Sequence, residues 1–361
     1  MLKKERYFDF KRFKGIKYMK RGFLLMNTGS PDSPEVKDVK NYLGQFLMDP
    51  YVIDLPYPAR ALLVYGIILN TRPKKSAEAY KSIWTENGSP LIHYCNQLTE
   101  ALKLLHNDPV ELAMAYGNPS LPNAIDNLIE KDVDEICLLP LFPQYAMATV
   151  GSCIGWLKKI LKQKKYTGTV RMAPPYHNHS SYIDPIAEKI TDSDEHILFS
   201  YHGIPERHLK KADPTKKHCM KVKDCCNQIN RDAHSVCYRQ QCFETTKLIV
   251  EKANLSNDRY TVSFQSRLGA NKLNEWLKPY TDKTLEDMPK KGIKNLAVLC
   301  PAFFCDCLET LEEIEDEGKE IFMNAGGKSY RMIPCLNDSD EGINCLNTIM
   351  KNANNWPIQK N

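Results

Sequence analysis

Short apolar runs recur along the chain, and segments with helical periodicity lie between them. Within the runs the apolar residues are mostly continuous rather than alternating, which is typical of strands buried on both faces of a parallel sheet. Alternation of such strands with helices indicates an α/β fold. The predicted strands are residues 22–27, 110–116, 135–141, 170–174, 196–201, 260–264, 295–300 and 330–334, with helices predicted at 34–47, 77–85, 96–105 and 340–352.

The predicted strands fall into two groups of four, separated near residues 175–190. A chain of 361 residues is long enough for two domains that each bury a core of their own. We therefore expect two Rossmann-like, doubly wound domains, each with a four-stranded parallel sheet. The expected division is a basic, disordered extension at 1–21, a first domain at 22–180, a second at 181–337 and a C-terminal helix at 338–361 that packs back on the first domain.

Charge is concentrated at one end of the chain. The formal net charge is +5, but residues 1–21 alone hold nine Lys or Arg and two acidic residues. The remainder is close to neutral, whereas a nucleic-acid-binding protein spreads basic patches over its folded body. The longest apolar run, 61–69, is shorter than the roughly 20 residues that span a bilayer. We expect a cytoplasmic protein, and contact with a membrane surface stays open.

Candidate ligand-binding residues follow the strands, because doubly wound folds bind ligands beyond the carboxyl ends of their strands. Aromatic and hydroxyl side chains follow the first group, among them Thr28, Phe142 and Tyr145. They indicate a cleft for a flat, largely apolar ligand, although aromatic residues that only cap a core give the same pattern. No strand is followed by a GxGxxG or Walker motif, which disfavours nucleotide binding.

A histidine and a row of carboxylates follow strands of the second group. His202 stands at the end of one predicted strand, before a Gly-Ile-Pro turn. Glu309 and Glu313 are four residues apart and therefore share one face of a predicted helix. Such neighbouring carboxylates repel one another unless cations approach them. This pattern favours a route for a divalent metal that leads to the histidine; a solvated helix face is the alternative.

Five of the 13 cysteines lie within 24 residues, in the pattern C-x5-C-C-x10-C-x4-C. Scattered cysteines in a cytosolic chain of this length do not indicate a disulfide framework. Four thiolates can hold either a zinc ion or an iron–sulfur cluster, and the spacing alone does not choose between them. The clustered residues are Cys219, Cys225, Cys226, Cys237 and Cys242.

Together these motifs resemble those of the ferrochelatase family. Two examples are Phe-Leu-Met-Asp-Pro at 46–50 and Ser-Tyr-His-Gly-Ile-Pro at 200–205. Each motif is weak alone, but all occur in order over residues 24–313. The matching segments are 24–31, 46–50, 83–84 with 88–91, 139–145 with 149 and 151–152, 200–205, 264–267, 276–281 and 300–313.

The resemblance implies the chelatase fold, with protoporphyrin IX between two domains and Fe²⁺ inserted into it to form protohaem, the last step of haem b synthesis. It implies that His202 and Glu309 are the catalytic pair, and that His202, Glu309 and Glu313 contact the metal. Our hypothesis makes His202 the base and Glu309 a proton relay or a metal ligand. The porphyrin-binding residues implied are Thr28, Ser89, Tyr116, Phe142, Tyr145 and Trp276.

The clustered cysteines fill an insertion, residues 214–242, that resembles an internal [2Fe–2S] segment of some bacterial ferrochelatases. The expected ligands are Cys219, Cys226, Cys237 and Cys242, with Cys225 as the alternative to Cys226 and zinc as the alternative metal. One departure from the family pattern is Ala115, which stands where a basic residue is common. A porphyrin-propionate contact is then lost or supplied elsewhere.

Other functions stay open on the sequence alone. A coproporphyrin-type chelatase is a close relative, and a porphyrin carrier would need no proton acceptor at His202. A redox protein built around the cysteines is disfavoured, because flavin and nicotinamide fingerprints are missing. The oligomeric state, monomer or homodimer, is also undecided.

Overall fold

The computed structural model describes residues 19–191, 194–267 and 275–359. The prediction of a disordered basic extension falls almost wholly on residues 1–18, outside the described residues. Residue Arg21, at the end of the predicted extension, already belongs to the first strand.

All eight predicted strands are confirmed, with ends that differ by one or two residues. Their residues are largely buried, as strands covered on both faces require. The strands are β1 Arg21–Asn27, β2 Val110–Met114, β3 Glu135–Pro140, β4 Thr169–Met172, β5 His196–His202, β6 Tyr260–Gln265, β7 Asn295–Leu299 and β8 Ser329–Ile333.

Within the described residues the strands form two four-stranded sheets of the same topology. The first sheet has the order β2-β1-β3-β4 and the second the order β6-β5-β7-β8. Every pairing is parallel, which confirms the predicted α/β class. In each sheet, the strand that comes second in the chain lies on one side of the first strand, and the third strand lies on the other side. The direction in which successive strands are added to the sheet therefore reverses. Ligand crevices open at that switch point, between the carboxyl ends of β1 and β3 and of β5 and β7.

Helices connect the strands and cover both sheets. The predicted helix at 77–85 begins earlier, at Pro73, and the one at 96–105 begins at Pro90, because proline suits the first turn of a helix. The helices are α1 Val36–Leu47, α2 Tyr57–Ala61, α3 Leu69–Thr71, α4 Pro73–Ile83, α5 Pro90–Leu105, α6 Leu121–Glu130, α7 Ser152–Gln163, α8 Ser180–Glu188, α9 Glu206–Ala212, α10 Arg231–His234, α11 Tyr238–Lys252, α12 Thr281–Asp287, α13 Leu308–Thr310, α14 Lys319–Asn324 and α15 Asp340–Lys351.

Alternate residues of β1 show why the strands are continuously apolar. Phe23 and Leu25 belong to one buried apolar cluster, whereas Leu24 and Met26 belong to another on the opposite face. The first cluster also contains residues of the second sheet and of α15. Helix α15 packs against both α5 and α8. We propose the division at 180/181 as the domain boundary, because β1–β4 and β5–β8 form separate sheets on either side of it.

In the part of the chain that the structure describes, three segments have π-helical turns, which the sequence did not predict. They are Leu62–Ile68, Met147–Gly151 and Leu311–Gly318. Such wide turns are rare and occur mainly at functional sites. One follows the predicted motif at 139–145, and another carries Glu313.

Candidate active site

The switch point of the second sheet brings together the residues that the sequence singled out. His202 is the last residue of β5, and Glu309 lies in α13, soon after β7 ends. His202 pairs in register with Gln265, the last residue of β6. The side-chain amide of Gln265 donates to the main-chain oxygen of Glu309 at 2.5 Å. A neighbour of His202 therefore holds the backbone at Glu309.

The orientation of the His202 ring follows from one hydrogen bond. Its Nδ1 lies 2.6 Å from the main-chain oxygen of Gly203. A carbonyl oxygen can only accept, so Nδ1 carries a proton and, in the neutral ring, Nε2 carries the lone pair. The main-chain oxygen of His202 accepts from the Tyr238 hydroxyl at 2.9 Å, and Phe303 packs edge-on with its ring centroid 6.2 Å away. The ring is thus fixed as a proton acceptor.

Two carboxylates on consecutive helical turns accompany this histidine. Glu313 accepts from the main-chain nitrogen of Ser266 at 2.7 Å and from its hydroxyl. Burial raises the pKa of Glu313, against the effects of Ser266 and of nearby His202, which lower it. The Glu309 carboxylate accepts from the thiol of Cys307 at 3.1 Å. No sequence pattern signals this thiol contact.

The predicted porphyrin-binding residues occupy different environments. Thr28, Phe142 and Tyr145 are half-buried, whereas Ser89 is buried. Tyr116 is 2% exposed and its hydroxyl contacts Asp49 and Ser152, so it presents little surface to a ligand. Trp276 is 6% exposed, and among the described residues its indole nitrogen has no hydrogen-bond partner. Their roles in porphyrin binding stay predictions.

A buried carboxylate that sequence reasoning did not single out organises the first half of the site. Asp49 is 1% exposed. It accepts hydrogen bonds from the side chains of Tyr116 at 2.7 Å, Ser152 at 2.6 Å and Trp156 at 2.8 Å. It also accepts from the main-chain nitrogen of Tyr51 at 2.7 Å. Its position in the 46–50 motif was the signal in the sequence that could have identified Asp49. The side chains that donate to it come from distant parts of the chain, so no local pattern predicts these contacts.

The turn after β1 requires glycine at Gly29. Its φ is +111°, and a Cβ there would lie 1.9 Å from the main-chain oxygen of Tyr116. Only glycine tolerates both conditions. The close approach brings the residues after β1 and β2 together beside Thr28.

Of the five clustered cysteines, Cys219, Cys225, Cys226 and Cys237 lie near one another, and the thiol of Cys242 is within hydrogen-bonding range of the Tyr238 hydroxyl. All are buried except Cys226, which is partly exposed. Cys237 is within hydrogen-bonding range of both Cys219 and Cys226, and the Arg239 guanidinium donates to the sulfur atoms of Cys225 and Cys226, both at 3.3 Å. Within the described ranges, no three His, Cys, Asp or Glu side chains are arranged to hold one metal ion.

Residues 57–67 present an exposed apolar surface. Its members are Tyr57, Leu62, Tyr65 and Ile67, exposed by 66, 72, 55 and 55%. Asp54, which comes just before these residues in the chain, contacts the second half of the molecule. Asp54 accepts from Arg207 at 2.7 Å and from Lys211 at 2.8 Å, both on α9, which follows the His202 turn. No helix in the part of the chain that the structure describes is long and apolar enough to cross a bilayer.

Two solved structures share this fold. One is SirB from Bacillus subtilis with Fe³⁺, with a TM-score of 0.54 and 9% sequence identity, covering 93% of this chain and 96% of that one. The other is the sirohydrochlorin chelatase SirB from Bacillus subtilis subspecies spizizenii in complex with cobalt, with a TM-score of 0.51 and 10% identity, covering 93% and 97%. The fold is that of the chelatases.

Sequence comparison defines the family. The family model described as Ferrochelatase matches residues 20–354. The ferrochelatase of Pseudomonas entomophila strain L48 is 45% identical over 335 residues, which are 91% of this chain and 98% of that protein. That of Azotobacter vinelandii is 46% identical over 320 residues, 87% and 94% of the two chains. The chain belongs to the ferrochelatase family.

Proposed function

We propose that the chain performs the reaction of its family, the insertion of Fe²⁺ into protoporphyrin IX in haem synthesis, at the switch point of the second sheet. The observation that carries this placement is His202, whose Nδ1 bond to Gly203 leaves Nε2 as the acceptor beside two carboxylates. The reaction consumes one Fe²⁺ and the free-base porphyrin and releases haem and two protons. It therefore needs a proton acceptor and a group that replaces water on the metal.

The residues divide these tasks by their chemistry. Nε2 of His202 accepts a pyrrole proton, since a neutral imidazole is an effective base near neutral pH. Glu309 and Glu313 provide oxygen ligands to the incoming Fe²⁺ or pass protons outward. Distortion of the planar macrocycle by binding energy would expose its nitrogen lone pairs to the metal.

The porphyrin lies, in this proposal, between the two switch points. Thr28, Phe142 and Tyr145 line it from the first half, and the buried residues Ser89 and Tyr116 support that wall from behind. The indole N–H of Trp276 supports a polar contact from the second half. It is a buried donor without a partner among the described residues, and a porphyrin propionate would satisfy it.

Anaerobic insertion by the purified protein tests the activity directly. We expect turnover with protoporphyrin IX and Fe²⁺, and with Zn²⁺ as a substitute metal. Coproporphyrin III serves as the comparison substrate. Tight porphyrin binding without turnover would favour a carrier, and a preference for coproporphyrin would favour the related chelatase class.

Cys307 is expected to position Glu309. Burial raises the pKa of the Cys307 thiol well above its ordinary value, so the thiol keeps its proton and donates to the carboxylate. Cys307→Ala should lower kcat for insertion by about three- to tenfold, the cost of one ordinary hydrogen bond, because a thiol is a weak donor. Cys307→Ser retains a donor and should recover most of the rate.

The measurement is steady-state zinc insertion with both variants and with Cys153→Ala as the control. Cys153 is buried in the first half, away from the second sheet. Equal rates for Cys307→Ala and Cys307→Ser would contradict the hydrogen-bonding role.

We also propose a [2Fe–2S] cluster in the cysteine-rich segment, residues 214–242. The thiols of Cys219 and Cys226 lie within hydrogen-bonding range of Cys237, and four thiolates can hold such a cluster, although the described side chains are not arranged to hold one metal ion. The guanidinium of Arg239 supports the assignment, because hydrogen bonds and positive charge at ligand sulfurs compensate an anionic cluster. Cys219, Cys226 and Cys237 would hold it with Cys242, and Cys225 is the alternative to Cys226. The cluster would supply a redox-active iron centre outside the insertion site.

Analysis of anaerobically purified protein should give two iron and two acid-labile sulfide per chain. Zinc without sulfide would contradict the cluster and favour the zinc alternative. Cys226→Ser should abolish the visible absorption if Cys226 is a ligand, whereas Cys225→Ser should leave it in place. The reverse result would assign Cys225 instead.

We propose that the apolar surface contacts a membrane. A porphyrin substrate partitions into lipid, and contiguous exposed apolar residues mark a surface that contacts a membrane or a partner. Leu62→Asp with Tyr65→Asp should abolish co-flotation with phosphatidylcholine–phosphatidylglycerol vesicles. Leu104→Asp, at a still more exposed leucine on α5, is the control. Equal flotation of both variants would contradict membrane contact through this surface.

A further inference from the structure

Gln144 joins the proposed porphyrin wall of the first half to the second half of the molecule. Its neighbours Phe142 and Tyr145 are half-buried, whereas Gln144 is 2% exposed. Its amide nitrogen donates to the main-chain oxygen of Pro301 at 2.9 Å and to the hydroxyl oxygen of Thr245, on α11, at 3.1 Å. Both acceptors belong to the second half, so a single buried amide connects the two halves.

The chemistry of its partners fixes the direction in which the Gln144 amide points. The main-chain oxygen of Pro301 can only accept, so the amide nitrogen must face it. Among the described residues, the side-chain oxygen of Gln144 has no hydrogen-bond partner. Gln144 therefore makes this link as a donor. A side chain of the same shape without N–H groups would remove the link, and water does not readily replace it at a buried position.

Pro301 begins the loop that carries the proposed metal-insertion residues. It follows the end of β7 by two residues. Two residues further on, Phe303 packs edge-on against the imidazole of His202, with ring centroids 6.2 Å apart. The same loop continues through Cys307 to Glu309. A displacement of Pro301 would therefore be transmitted to the groups around the proposed base.

The residues on either side of Gln144 are also held. The main-chain oxygen of Pro143 accepts from the main-chain nitrogen of Tyr176 at 3.0 Å, just before the proposed domain boundary. The main-chain nitrogen of Tyr145 donates to the side-chain oxygen of Gln241, on α11, at 2.7 Å. Of these three contacts, that of Gln144 is the one that reaches the loop after β7.

We infer that Gln144 is a positioning residue that fixes the separation between the porphyrin wall, residues 142–145, and the insertion loop, residues 301–309. The inference rests on the proposed function. A macrocycle held between walls of fixed separation is distorted at the expense of binding energy, which brings it closer to the transition state. Without the amide link the walls yield and the macrocycle relaxes toward planarity. Insertion then slows, although the porphyrin still binds at least as tightly.

Gln144→Met tests the link, because methionine has a similar length and shape but no N–H group. With protoporphyrin IX and Zn²⁺, kcat should fall by about three- to tenfold, the effect of a lost hydrogen bond. The porphyrin KM should stay the same or fall, which is the pattern of lost ground-state strain. Resonance Raman spectra of bound, metal-free protoporphyrin should show weaker out-of-plane bands than in the parent protein.

Tyr182→Phe is the matched control. The Tyr182 hydroxyl, on α8 in the second half, donates to the same main-chain oxygen of Pro301 at 3.0 Å. Its removal takes one donor from that atom without breaking a contact between the halves, so kcat and the Raman bands should equal those of the parent. Thr245→Val removes the other acceptor of the Gln144 amide. It should cause a smaller change of the same kind and serves as the test if Gln144→Met folds poorly.

Parent values of kcat and of the Raman bands in both Gln144→Met and Thr245→Val would overturn the inference and leave the proposed function intact. A loss in Tyr182→Phe equal to that in Gln144→Met would also overturn it, because the effect would then come from Pro301 alone. A raised porphyrin KM with unchanged kcat would make Gln144 a support for binding and would contradict the role in distortion. Failure of the parent protein to insert metal would overturn the proposed function itself.

Discussion

Replacing His202 by alanine is expected to lower kcat for iron and zinc insertion by about 10²–10⁴-fold, the usual contribution of a positioned general base. The structure gives the reason. The Nδ1 bond to Gly203 leaves Nε2 as the only basic nitrogen of the ring. Porphyrin affinity should change by less than about threefold, because the ring is expected to act on the pyrrole proton and not to supply most of the binding surface.

The measurement is single-turnover metal insertion under saturating porphyrin and metal, beside fluorescence titration of porphyrin. His196→Ala is the control on the same strand. His196 opens β5 at the opposite end and contacts Thr261 at 2.9 Å. Its replacement should leave the rate unchanged. Near-normal insertion by His202→Ala at saturating metal would show that His202 is not the base, and a rate restored by high metal alone would make it a metal ligand.

Much of this site could be predicted from the sequence, because its residues follow local patterns. Continuous apolar runs identified the strands, and parallel strands place their carboxyl ends at one edge of a sheet. The positions of His202 at the end of β5 and Glu309 after β7 therefore placed both at the carboxyl edge of the second sheet. The strand order, and with it the switch point between β5 and β7, emerges only in the folded structure.

The contacts that hold these residues could not be predicted in this way. Gln265 and Ser266 meet Glu309 and Glu313 only after β6 and β7 have paired on either side of β5. The π-helical turn at Leu311–Gly318 changes the face on which its carboxylates lie, and no 3.6-residue periodicity signals it. The link from Tyr238 to His202 likewise joins residues 36 positions apart.

Asp49 is the clearest case of a residue whose importance emerges only in three dimensions, and its removal should have the largest effect on stability. Asp49→Ala would leave three buried side-chain donors, on Tyr116, Ser152 and Trp156, without their acceptor. Each unsatisfied buried donor costs about 1–3 kcal/mol. With partial rearrangement we expect a loss of about 3–5 kcal/mol in the free energy of unfolding, which lowers Tm by about 5–10 °C.

Thermal and urea unfolding of Asp49→Ala and Asp49→Asn would measure this effect, with Asp126→Ala as the control. Asp126 is a partly exposed aspartate of the same half that pairs with Lys164 at 2.5 Å, and exposed ion pairs contribute at most about 1 kcal/mol. The side-chain amide introduced by Asp49→Asn keeps one acceptor oxygen but adds donors, so this variant should fall between Asp49→Ala and the parent. An unchanged urea midpoint for Asp49→Ala would mean that water or another acceptor satisfies the three donors.

Because these donors include Tyr116 and the start of α7, a destabilised Asp49→Ala protein that still folds should also show a raised porphyrin KM, which connects the buried carboxylate to the cleft that it supports.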